Sequence, residues 1–208
     1  MRFDWVPYSA TSLVLGASAL AVGSLLLPSY AEAATTVQMT RSQGGLWLGV
    51  AALYFVAAVM LTLGMPAILT LFHARGARLG LTAVGIFTAS AAGTAGFAML
   101  LLFVRALVMN DAVPDVTVMD VTQDAGLTGF LYVWIGTLVL GELLLAVALL
   151  RARAVPRWIP VLVLIHVGLL GLAPFLPEFI GSGSPLLITL ALSALGIRAA
   201  AQRTEPAY

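Results

Sequence analysis

Six stretches of the chain, at about 10–27, 46–72, 79–104, 127–150, 158–176 and 185–201, run through apolar residues with almost no charge to interrupt them. Little else in a sequence restricts a fold so severely. In hydrocarbon no water is present to bond the backbone, so each N–H and C=O must be satisfied within the segment or its neighbours. A run of about 20 apolar residues meets that demand as a membrane-crossing α-helix. Composition agrees: 61% of the 208 residues are hydrophobic and 9% are charged, against about 25% charged in soluble domains. Mean hydropathy is +1.05. No polar gap is long enough to house a separate water-soluble domain. The expected fold is an all-α integral membrane protein, one domain over residues 1–208 built as a six-transmembrane-helix bundle. The expected partners are the lipid bilayer and a second copy or another membrane subunit.

Arginine placement sets the expected threading. With six crossings and an inside N-terminus, the inside segments hold Arg2, Arg75, Arg78, Arg151, Arg153, Arg157, Arg198 and Arg203, and the outside segments hold Arg41 and Arg105. Positive residues concentrate on the cytoplasmic side of membrane proteins, which puts both termini there. Heavy alanine use, with arginine supplying all ten basic residues, suggests a GC-rich bacterial genome and hence the bacterial inner (cell) membrane. Ala31-Glu32-Ala33 has the form of a signal-peptidase site, but the stretch before the first run is weakly charged, and a retained first helix is the favoured reading.

Absences narrow the chemistry. Without cysteine there is no thiolate, disulfide or lipidated cysteine. Without lysine there is no Schiff base to retinal or pyridoxal. His73 and His166 fall at different depths, which argues against a bis-histidine haem. No phosphate-binding glycine loop, HExxH or GxSxG pattern occurs, and the arginines make no basic face suited to nucleic acid. No cofactor and no metal is expected. The four aspartates of the 110–125 loop, Asp111, Asp115, Asp120 and Asp124, do not follow calcium-loop spacing and read as a solvated acidic loop.

Other features read as architecture. Pro66 lies inside the second run, where it removes the bond to the Thr62 carbonyl and kinks the helix. Gly85, Ala89 and Gly93, with Ala92 and Gly96, recur at spacing four in the third run, the small-residue pattern of close helix contact.

The remaining signal lies around the hinge Arg151-Ala152-Arg153-Ala154-Val155-Pro156-Arg157. Glu142 precedes its first arginine by nine residues and His166 follows its last by nine. An antiparallel turn there puts carboxyl and imidazole at similar depth, about 13 Å into the apolar layer at about 1.5 Å per residue. Ionisable groups at that depth are costly and raise a functional question by default. Counting inward places Thr62 and Pro66 in the same inner-leaflet zone. Three uses are open: a polar clamp between helices, a proton or cation site, and a polar-substrate or catalytic site with Glu142 and His166 as acid and base. They correspond to a binding, assembly or accessory subunit, a small proton-coupled transporter, and an intramembrane enzyme acting on a lipid-like substrate. The balance leans away from an enzyme.

The hinge carries a resemblance as well. Arg153-Ala154-Val155-Pro156-Arg157-Trp158 between the fourth and fifth runs, with Arg75-Gly76-Ala77-Arg78 after the second, resembles the small bacterial membrane proteins of the domain-of-unknown-function 4386 family. That likeness implies six helices over about 200 residues and implies no activity. The family's usual basic start of the first helix is missing here, where Asp4 offsets Arg2.

Overall fold

A computed structural model describes residues 4–27, 33–72, 76–112, 114, 124–172 and 175–204. Among them every regular element is a helix: α1 (Val6–Leu26), α2 (Ala33–Ser42), α3 (Gly44–Leu69), α4 (Ala77–Met109), α5 (Ala125–Ala152), α6 (Trp158–Leu172), α7 (Glu178–Gly183) and α8 (Pro185–Thr204). Five of these, α1, α3, α4, α5 and α8, are long and apolar enough to cross a membrane by length and composition; α6 is equally apolar but has 15 residues. The chain is thus a helical membrane bundle.

The six apolar helices close into a ring. Each packs on the next in the order α1, α3, α4, α5, α6, α8, and α8 returns to α1. All six supply the main core, through residues such as Leu13, Met65, Phe87, Leu145, Val163 and Leu192. Adjacent ring members are antiparallel, so Val6 of α1 and the last turn of α8 lie at one end of the bundle with Arg78, Arg151, Arg153, Arg157 and Arg198. Arg41, Arg105, Asp111 and Asp124 lie at the other. There Arg41 pairs with Asp111 at 2.8 Å, the Arg105 side chain donates to the Gly44 carbonyl at 2.6 Å, and Asp124 caps α5 by accepting from the Leu127 N–H.

Helix α1 is an integral member of this ring, with Ala10, Leu13 and Ala17 in the core. It meets α3 at a seam made by two glycines. A β-carbon at Gly64 would stand 2.5 Å from the Leu13 Cα, and one at Gly16 would stand 2.7 Å from the Leu61 backbone nitrogen. Where lipid tails are as apolar as leucine, such close backbone approach is a main source of helix association.

The same seam accommodates the Pro66 kink. Ser9 of α1 places its hydroxyl into the α3 ladder, donating toward the Leu63 (2.7 Å) and Gly64 (3.0 Å) carbonyls and accepting from the Ala67 N–H at 3.0 Å. A hydroxyl from the neighbouring helix thereby inserts into the α3 ladder on either side of Pro66. Ser9→Ala is expected to lower stability by about 1–2 kcal/mol, the usual loss when buried backbone groups forfeit a partner. Unfolding in mixed detergent micelles checks this, and an unchanged midpoint would mean the ladder closes without the hydroxyl.

Several boundaries differ from expectation. The polar stretch 33–42 forms α2, whose Val37 is buried beside Val108 of α4; its lack of a long apolar run hid it. The third helix reaches Met109 because Arg105 finds a backbone carbonyl instead of ending the helix at the interface. The fifth ends at Leu172, not near 176, and a short helix, α7, follows before α8. The 31–33 cleavage pattern lies mostly outside the described residues, as do His73, most of the acidic loop and the last four residues of the chain.

The short α6 leaves α5 uncovered. From residue 125 to residue 140 no side chain of α5 is buried, whereas Gly141, Glu142, Leu145, Ala146, Ala148 and Leu149 all are. That first half leans on α4, where the Trp134 indole donates to the Ser90 carbonyl at 3.0 Å and stacks on Phe97. Phe97 meets Tyr54 edge-on, and the Tyr54 hydroxyl lies 3.0 Å from that of Ser24. This line of contacts crosses α1, α3, α4 and α5.

Candidate functional site: a buried carboxyl–imidazole pair

Glu142 and His166 are in contact. His166 Nδ1 lies 2.7 Å from Glu142 Oε2, with the two residues 3% and 1% exposed. Local sequence explains the alignment. Gly141 has no side chain to hold α5 away from α4, and a β-carbon there would stand 2.9 Å from the Phe87 backbone nitrogen. With Gly141 seated on α4, the next residue turns about 100° around the helix and faces α6. Arg153 then ends α5 in the left-handed region (φ 52°), its N–H bonded to the Leu149 carbonyl, and the chain reverses through Pro156 into α6. The tight reversal brings positions equally far from the hinge to the same height.

The surroundings are apolar. Leu138, Leu145, Ala146, Leu162 and Val163 belong to or pack against the main core. Among the described residues neither Glu142 nor His166 makes another side-chain hydrogen bond or ion pair, and no group of three or more metal-ligating side chains occurs. One proton shared across the pair leaves it without net charge, as imidazolium and carboxylate or as imidazole and carboxylic acid. Net neutrality and a short bond are what make such a pair tolerable at this depth.

Thr62 and Pro66 do not join it. The Thr62 side chain is exposed and donates back to the Ala58 carbonyl of its own helix at 2.8 Å, and Pro66 belongs to the α1–α3 seam. Helix α3 packs chiefly on α1, α4 and α8, away from the α5–α6 hairpin. Position around the ring sets Thr62 and Pro66 apart from the pair.

The small residues of α4 divide. Gly93 lies under the Trp134 ring, whereas Gly85, Ala89, Ala92 and Gly96 are exposed on the outer side of the helix. The glycines that bring helix backbones together inside the described bundle include Gly16, Gly64 and Gly141, none of which belongs to a run of glycines at spacing four.

No family model, curated protein or solved structure matches this chain.

Proposed function

We propose that this protein is a non-enzymatic bacterial membrane component, a binding, assembly or accessory subunit of the cell membrane, with six crossings and both termini cytoplasmic. The sealed Glu142–His166 pair carries the reading. A transporter's proton site has to exchange with water from at least one side, and an acid–base dyad has to reach a substrate. Here carboxyl and imidazole satisfy one another inside an apolar core, and three clefts on the bundle surface, beside Phe130, Gly76 and Pro156, are lined by other residues. A polar clamp joining α5 to α6 is the use best matched to that arrangement. The eight-to-two arginine distribution supports the sidedness, and the uncovered half of α5 supports lateral association as the mode of action.

Reconstitution into vesicles enclosing a pH-sensitive dye tests this. An imposed pH gradient is expected to decay at the same rate with the protein, with its Glu142→Gln variant, and in empty vesicles. Faster decay that the Glu142→Gln substitution abolishes would overturn the clamp reading in favour of proton-coupled transport.

A further inference from the structure

The end of the bundle where α1 begins and α8 ends holds a feature the clamp does not use. Arg151, Arg153 and Arg157 are crowded into one hinge, and all three are exposed. None of their side chains has an ion-pair or hydrogen-bond partner among the described residues. Two open clefts meet there. One, of about 580 Å³, is walled by Leu149, Leu150, Val155, Pro156 and Pro160, with Arg153 and Arg157 as its charged members. The other, of about 380 Å³, lies between Gly76, Leu150, Arg151 and Arg153. Leu150 and Arg153 line both, and no described carboxylate lines either.

We propose that these clefts form a binding site for an anionic phospholipid, its phosphate held by Arg153 and Arg157 and its acyl chains laid along the exposed Leu150. Three observations converge. Exposed guanidinium groups with no carboxylate partner among the described residues match a phosphate, which they can bind bidentately. The larger cleft passes from arginine to leucine and proline, the order in which a lipid passes from headgroup to chain. Trp158, half exposed and next to Arg157, is the amphipathic residue that marks headgroup level at a membrane edge. Backbone conformation adds to these. Arg153 stands in the left-handed region at the end of α5, where glycine or asparagine is the ordinary choice, so the chain keeps an arginine at a position whose backbone does not favour it. A basic pocket between membrane helices suits an anionic headgroup better than a zwitterionic one.

The test uses the full-length protein in neutral detergent, titrated with phosphatidylglycerol, with phosphatidylcholine, or with inorganic phosphate, and reads bound lipid by native mass spectrometry and the shift in melting temperature. Arg153→Asn with Arg157→Gln removes both charges while easing the left-handed backbone; Arg157→Gln alone is the milder companion should the double variant fold poorly. Arg198→Gln, an exposed arginine at the same end that lines neither cleft, is the control. Phosphatidylglycerol is expected to bind and stabilise the wild type and Arg198→Gln alike. It should bind about fivefold more weakly to Arg157→Gln and roughly 25-fold more weakly to the double variant. Equal response to phosphatidylcholine, an equal shift from inorganic phosphate, or undiminished phosphatidylglycerol binding by the Arg157→Gln variant would each overturn the proposal.

Discussion

Gly64→Leu is expected to separate α1 from α3 and leave the bundle unable to close. At that position even a β-carbon would lie 2.5 Å from the Leu13 Cα and nitrogen, which are backbone atoms that no rotamer change can move. Relief needs α1 to shift as a whole, and that shift opens the Gly16–Leu61 contact and lifts Ser9 out of the Pro66 kink. Overfilling a well-packed interior ordinarily costs about 1–3 kcal/mol. With one seam bearing both the closest packing and the Ser9 bonds, a loss of at least about 3 kcal/mol is expected here. Size-exclusion profiles after graded heating would show it as early loss of the monodisperse species. Gly49→Leu on the same helix, where an added β-carbon meets nothing within 4 Å, should behave as wild type. Equal stability of Gly64→Leu and Gly49→Leu would remove the seam from its central place in the fold.

The second large effect concerns the buried pair, and its signature is non-additivity. Glu142→Leu leaves an imidazole, and His166→Leu a carboxyl, without a partner in the apolar core. Each single change is expected to destabilise by about 2 kcal/mol, a hydrogen bond lost together with the desolvation of the orphaned group. The double replacement leaves no orphan, and apolar substitutes for a buried pair are often neutral or better, so it should return to within about 1 kcal/mol of wild type. A folded double variant with stability near wild type and both singles impaired identifies a clamp. A double variant as impaired as the sum of the singles would show that each group does something beyond bonding the other.

Glu142 and His166 show how far sequence reaches. Their equal distance from a tight arginine- and proline-bearing hinge makes their common height readable, because an antiparallel hairpin has one register. Their rotation about α5 and α6 is not readable, since it depends on Gly141 seating against Phe87 of a helix 50 residues earlier in the chain. Thr62 and Pro66 illustrate the converse. Residue counting assigns them a depth, yet depth says nothing of which ring neighbours α3 will choose. The spacing of Gly85, Ala89 and Gly93 identifies a face narrow enough for close contact, but a small-residue face and a partner for it are separate facts. Glycines such as Gly16 and Gly64 seat one helix backbone directly on another while carrying no periodic mark. The apolar runs themselves were legible to within a few residues because membrane crossing demands length and apolarity and little else.

The unequal helices α5 and α6 have a consequence for the surrounding bilayer. At about 1.5 Å per residue, the 28 residues of α5 extend about 42 Å and the 15 of α6 about 22 Å. A hydrocarbon layer about 30 Å thick is overspanned by the first and underspanned by the second. Lipids along the α6 edge have to shorten or splay, while those beside α5 meet apolar surface that calls for tilt. Elastic deformation of this kind costs a fraction of a kcal/mol per Å, and one molecule bears it on one side only. Pairing through that thin edge would remove it from the lipid, and the strain relieved would be larger in a thicker membrane than in a thinner one.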